Sequence, residues 1–394
     1  MPATAHYLDH AATTPMLPEA VAAVTAALAE TGNPSSLHAS GRRARRQVEE
    51  SREQTAACLG ARPAEVVLTS GGTEADNLAV KGLYWSRQGS DPRRRRILVS
   101  AVEHHAVLDP AAWLQAHDGA QVELLPVDSD GRLRVDALAD AIARDPHDVA
   151  LVSCMWANNE VGALQPVADV VALAHEHGIP VHSDAVQAVN TVPVDFGASG
   201  LDAMTVTGHK IGGPVGSGAL LVRRELPLVP LLHGGGQERD LRSGTLDVAS
   251  VRGLAVAIAC AGEHRAALSE HLRSLRDDME ARVVDSVADV RVNARLDRLP
   301  GTSHLTFAGC DGDALLMLLD ARGVECSTGS ACSAGVPQPS HVLLAMGRDE
   351  RAAAGSLRVS LGRTSTAADT DAFVAAIVPA VERARAAGLA AARP

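Results

Sequence analysis

The chain has 394 residues, 46% hydrophobic and 21% charged, a balance that excludes a disordered polypeptide and suffices for about two or three folded units. A formal net charge of -11 argues against a direct nucleic-acid binder, which usually holds phosphates on a basic face. No apolar run reaches the roughly 18 residues of a membrane span, so neither nucleic acid nor membrane is expected as a partner.

Aromatic residues make up only 2%, which leaves the core to Ala, Val and Leu. The cysteines are Cys58, Cys154, Cys260, Cys310, Cys326 and Cys332, with no CxxC pair. That pattern argues against a disulfide framework and for a reducing, cytoplasmic setting. The segment Met1–His6 lacks a charged region followed by an apolar one, so no secretion signal is expected. The basic run Arg93–Arg96 reads as a solvated loop.

In chain order, Tyr7-Leu8-Asp9-His10 is a short extended segment before a turn at Thr13-Thr14-Pro15. Helical spacing runs from Pro18 to Glu30 and ends at Thr31-Gly32-Asn33-Pro34. A polar helix follows over about Ser40–Leu59. From Glu65 onward, short apolar runs alternate with longer helical segments. The expected strands are Val66–Thr69, Ile97–Ser100, Val122–Leu125, Ala150–Cys154, Pro180–Ser183, Ala203–Val206 and Ala219–Val222. The expected helices between them are Glu74–Leu83, Leu108–Ala116, Val135–Ala143 and Val167–His177. Such alternation predicts an α/β unit with a mostly parallel sheet covered on both faces. A long helix, Val248–His271, leads to a smaller α+β unit. Its expected strands are Val290–Val292, His304–Phe307 and Leu357–Ser360, and its helices Asp313–Ala321, Ser340–Met346 and Ala367–Ala386. The predicted division is 16–260 for the large unit, with 1–15 and 261–394 for the small one.

In a parallel sheet, ligands bind beyond the carboxyl ends of the strands, and sorting polar residues by that rule collects chemistry. Lys210 follows the strand ending at Val206, in Thr207-Gly208-His209-Lys210-Ile211-Gly212-Gly213. A lysine partly desolvated at a strand end becomes a nucleophilic amine suited to a Schiff base. The stretch is equally compatible with a surface lysine in a glycine turn. Ser70-Gly71-Gly72-Thr73-Glu74 opens a helix and suits a phosphate, or simply caps the helix. Asp184 stands at another strand end, 26 residues before Lys210. An Asp and a Lys so placed suit pyridoxal phosphate, the carboxylate keeping the pyridine nitrogen protonated. Gln187 is a candidate donor to the ring oxygen, and Thr207 and His209 to the phosphate.

Glu103-His104-His105 offers an imidazole to stack on a ring or carry a proton. A metal pair is the rival reading, but no spaced carboxylate completes it, and no metal is expected. Trp156-Ala157-Asn158-Asn159-Glu160 brings two amides to the same sheet edge. Arg358, among apolar neighbours, calls for an anion: a substrate carboxylate or an internal salt-bridge partner. Cys332, among small residues in Gly329-Ser330-Ala331-Cys332-Ser333-Ala334-Gly335, reads as an exposed, reactive thiol on a mobile loop, or as incidental.

Together these pieces resemble cysteine desulfurases, pyridoxal-phosphate proteins of the class V aminotransferase group. The likeness rests on Tyr7-Leu8-Asp9, Gly32-Asn33-Pro34-Ser35-Ser36, Thr69–Glu74, Glu103-His104, Asn158–Gly162, Asp184–Gln187, Gly208-His209-Lys210, Arg242-Ser243-Gly244-Thr245 and Gly329–Cys332, in family order. It implies the type I fold of pyridoxal-phosphate transferases and a homodimer. It further implies that Lys210 bonds the cofactor, Asp184 meets the ring nitrogen, Gln187 the ring hydroxyl, and His104 stacks on the ring. Gly72, Thr73, Thr207 and His209 would hold the phosphate, with Thr245 reaching in from the second subunit. Asn159 and Arg358 would orient the L-cysteine carboxylate, and Cys332 would take the sulfur as a persulfide. The spacing from Cys332 to Pro339-Ser340-His341 resembles the long-loop branch, which delivers sulfur to an acceptor or iron–sulfur scaffold protein. Ser183, Val186, Val215 and Trp156 depart from the usual family residues without removing a needed chemical group. A different class V reaction, or a non-catalytic sulfur-assembly partner, are the alternatives.

Overall fold

The computed structural model of the protein describes residues 5–329 and 339–391. Its strands are β1 (His6–Tyr7), β2 (Val66–Thr69), β3 (Arg96–Ser100), β4 (Gln121–Leu125), β5 (Val149–Ser153), β6 (Val181–Asp184), β7 (Ala203–Thr207), β8 (Gly218–Val222), β9 (Val290–Asn293), β10 (Thr302–Phe307), β11 (Val324–Glu325) and β12 (Ser356–Ser360). Seven form one sheet in the order β2-β8-β7-β6-β5-β3-β4. Only β8 runs antiparallel to its neighbours, pairing Leu68 with Ala219 on one side and Thr205 with Leu220 on the other.

All seven of these strands were expected from the sequence, because strands covered on both faces read as unbroken apolar runs. The period-2 alternation then divides their side chains between two cores. Leu68, Leu98, Val152, Val181 and Val206 face one way, towards helices including Ala39–Cys58, Val167–His175 and the start of Val248–Ser286. Val67, Ile97, Val99 and Leu220 face the other, under helices Gly72–Ser90 and His105–His117.

A further core gathers Leu8, Leu272, Met279, Phe307, Leu319, Leu357 and Phe373. It lies on the antiparallel sheet β12-β10-β9 and on β1, which pairs in parallel with β11. The helix expected to end near His271 continues to Ser286. Its second half is dominated by charge in the sequence, but Leu272, Met279 and Val283 keep a helical stripe buried against this core. The run Arg93–Arg96 also needs correction. Arg96 is not loop but the first residue of β3, buried, with its guanidinium on Asp148, Glu123 and the carbonyls of Ala141 and Asp145.

Candidate active site

A cavity of about 370 Å³ opens beyond the carboxyl ends of β2, β3, β5, β6 and β7. Ten of the twelve site residues expected from the sequence line it: Gly72, Thr73, His104, Asn159, Asp184, Gln187, Thr207, His209, Lys210 and Arg358. Thr245 is exposed and does not line it. Cys332 lies outside the described residues.

One end of the cavity is an uncapped helix start. Gly71 precedes helix Gly72–Ser90 with φ 149°, and no side chain caps the first turn. The first-turn N–H groups are therefore available to an anion. The turn is held closely: Glu74 accepts from the Ser70 N–H at 2.8 Å and hydroxyl at 2.5 Å, and Arg242 donates to Glu74 at 2.8 Å. β8 starts beneath it, where a Cβ on Gly218 would lie 2.8 Å from Gly71 backbone atoms. On the same side, burial of Thr207 and the half-buried His209 complete the wall; burial and the nearby Lys210 charge push the His209 imidazole down to about 4.

Asp184, at the end of β6, forms the floor. Its Oδ1 accepts from the Val186 N–H at 2.8 Å. Burial, reinforced by Asp76, pushes its carboxyl up to about 8. Lys210 donates to the carbonyls of Ala11 and Ala12, the latter at 2.7 Å. Burial, then the Arg358 charge, lower its amine to about 8. An amine in that range is still mostly protonated at pH 7, but its neutral, nucleophilic fraction is far larger than that of an ordinary lysine. Gln187 donates through Nε2 to the same Ala11 carbonyl at 2.9 Å.

His104 caps helix His105–His117: its Nδ1 accepts from the Ala106 N–H at 3.0 Å. That bond fixes the tautomer, leaving the proton on Nε2. Burial and the Lys210 charge push this imidazole down to about 4, so it stays neutral. Asn158 and Asn159 divide their roles. Asn158 is buried and bonds the Val102 carbonyl and the Glu160 and Val161 N–H groups, a purely local brace. Asn159 faces the cavity. Arg358 does have the internal salt bridge: Nη2 meets Asp9 at 2.7 Å, and Nη1 meets the Asn159 carbonyl at 2.9 Å. Its Nε remains without a partner among the described residues.

Sequence reasoning missed the acids beneath the floor. Asp76 is buried, 3.5 Å from His182, and burial pushes it up to about 7. It lies three residues after Thr73 on one helix, so its face was deducible; its burial was not. Glu103 bonds the Met155 N–H, and burial with the Asp184 charge holds its carboxyl well above the usual range. His341 also lines the cavity, its Nε2 donating to the Glu103 carbonyl at 2.9 Å.

Residues 6–373 match the profile of the class-V aminotransferases. The chain is 59% identical over 388 residues to an IscS-like cysteine desulfurase of Mycobacterium tuberculosis, covering 98% of each. It is 42% identical to a cysteine desulfurase of Cereibacter sphaeroides, covering 96% of each. Among solved structures, a NifS-like protein superposes with a TM-score of 0.89 at 33% identity, over 96% of this chain and 100% of that one.

Proposed function

Because the chain belongs to the class-V aminotransferases, among the cysteine desulfurases, we propose that its cavity holds pyridoxal 5'-phosphate and converts L-cysteine to L-alanine. The sulfur passes to an enzyme cysteine and on to an acceptor protein. The observation that carries this reading is the meeting of a desolvated lysine amine, a buried aspartate and an uncapped helix start in one cavity.

The residues present fit the cofactor. The open first turn at Gly72 and Thr73, with Thr207 and His209, suits its phosphate; a Cβ at Gly72 would lie 3.1 Å from Val186 and narrow that cradle. Asp184, held un-ionised by burial, gains most from a cationic ring N–H. Gln187 suits the ring hydroxyl and His104 the ring face. When bound, the cofactor acts as an electron sink that weakens bonds at the substrate Cα and Cβ.

The protein's own groups supply the remainder. Lys210 would hold the cofactor, and its amine, when free and neutral, would take the substrate Cα proton through Nζ. Arg358, oriented by Asp9 and the Asn159 carbonyl, pairs with the substrate carboxylate, and the Asn159 amide assists. The Cys332 thiolate attacks the substrate sulfur. An S–S bond forms, the substrate C–S bond breaks, and the alanine Cβ takes a proton. Thr245, exposed and away from its own cavity, serves that of the second subunit in a homodimer.

We assign residues 16–260 to the large cofactor-binding unit, and 1–15 with 261–394 to the small one. The separate core of Leu8 with residues beyond 271 supports that division. No described helix is long and apolar enough to cross a membrane. The proposed setting is cytoplasmic, with an acceptor or iron–sulfur scaffold protein as recipient.

The test is release of alanine and sulfide from L-cysteine under reducing conditions. Equal amounts are expected from the wild type and neither from Lys210→Ala or Cys332→Ser. Full sulfide release by Cys332→Ser would refute the persulfide route. A keto-acid product would point to transamination instead.

A further inference from the structure

β2 is an edge strand of the large sheet, yet all four of its residues are buried. Its inner edge pairs with β8. On the outer edge, the Leu68 N–H donates to Glu238 Oε2 at 2.7 Å, and the Val66 carbonyl accepts from Arg52 Nη1 at 2.9 Å. Arg52 and Glu238 in turn form a two-pronged ion pair, 2.7 and 2.6 Å. Its side chains are only 10% and 2% exposed. This pair takes the place of a neighbouring strand, presenting one acceptor and one donor to alternate residues of β2.

Glu238 reaches that position by an unusual backbone. Glu238, Arg239 and Asp240 have φ of 49°, 60° and 62°, three consecutive non-glycine residues in the left-handed region. Such a conformation persists only where surrounding contacts enforce it. Two residues beyond this turn, Arg242 holds Glu74, which holds Ser70. The segment thus grips the stretch Val66–Glu74 twice, before and after the anion-binding turn Ser70–Thr73.

We propose that the Glu238–Arg52 ion pair, set in place by the left-handed turn, is a positioning device for the phosphate-binding turn. This inference rests on the reading that Ser70–Thr73 holds the cofactor phosphate. Neither residue touches the cavity; they act through the backbone of β2. Without Glu238, the Leu68 N–H loses its acceptor, Arg52 keeps only Glu49 and the Val66 carbonyl, the turn 238–240 loses its hold on β2, and the end of β2 is free to shift.

The experiment uses full-length protein stripped of cofactor and titrated, by visible absorbance, with pyridoxal phosphate and with phosphate-free pyridoxal. The wild type is expected to prefer the phosphate form strongly. Glu238→Gln is expected to lose about tenfold of that preference, the weight of one or two charge-assisted hydrogen bonds, while pyridoxal binds as before. Arg52→Lys keeps the charge but not the two-pronged contact, and carries the same test with a smaller loss if Glu238→Gln does not fold. A preference unchanged in these variants, or an equal loss for both ligands, overturns the inference. A wild type that binds both ligands equally refutes the phosphate reading itself.

Discussion

Asp184 is expected to make the cofactor-free protein less stable than its Asp184→Asn variant, increasingly so as pH rises. Burial raises this carboxyl from 3.8 to about 8. In the folded chain it therefore keeps its proton through a range where the unfolded chain has released it. The folded state binds more protons there, and stability falls with pH. The contribution is fully present below the unfolded value and is lost as pH passes the folded one. At about 1.4 kcal/mol per unit of pH, the ceiling is about 6 kcal/mol by pH 9. Relaxation and water entry reduce such buried terms, so at least about 2 kcal/mol is expected at pH 8.5. The assay is the urea midpoint of both apo-proteins at fixed concentration from pH 5 to pH 9. The midpoints should move apart towards high pH in favour of Asp184→Asn, and pyridoxal phosphate should narrow or reverse the gap by protecting the wild type alone. Parallel pH profiles would refute the reasoning.

Three other outcomes are expected. Lys210, lowered to about 8 by burial and the Arg358 charge, should form a fast class in amine acylation of the apo-protein, with a midpoint near pH 8. That class should be absent from Lys210→Ala. Asp9→Asn leaves the buried Arg358 short of its counter-ion, so about 2 kcal/mol of stability should be lost, read by urea unfolding, together with weaker cysteine binding. Gly218→Ala places a Cβ 2.8 Å from the Gly71 backbone, which cannot turn aside as a side chain does; cofactor titration should show at least about a tenfold loss of affinity, equivalent to ~1.4 kcal/mol of overpacking.

The large sheet was legible because most of its strands are buried on both faces and keep charge to their ends, as with Arg96 opening β3 and Asp184 closing β6; β4 at the exposed edge is the exception. The candidate site followed from a rule about strand ends, which placed Asp184 and Lys210 together before any contact was known. What escaped has a common physical origin in long-range pairing. The sequence offered an extended segment from Tyr7, but its partner β11, two residues long, exists because Val324 meets His6, and nothing in its own segment signals that. Glu103 and Asp76 are charged residues in sequence and buried acids in space, since burial is decided by what the chain folds over them. Glu238 follows Gly234-Gly235-Gly236 in a stretch without helix or strand pattern, yet its carboxylate seals a strand.

The first described residues reach across the whole chain. Leu8 lies in the core built from residues beyond 271, Asp9 pairs with Arg358, and the Ala11 and Ala12 carbonyls receive the Lys210 amine. During synthesis on a ribosome, the N-terminal segment emerges first; Gln187 and Lys210 can meet Ala11 and Ala12 once the sheet is made, but Asp9 lacks Arg358 until residues near 360 have appeared. The large sheet, complete at Val222, has its partners far earlier. The cavity therefore gains its arginine only near the end of translation. A nascent chain can hold the fold of the sheet without holding a finished site, and substrate chemistry waits for the last strand.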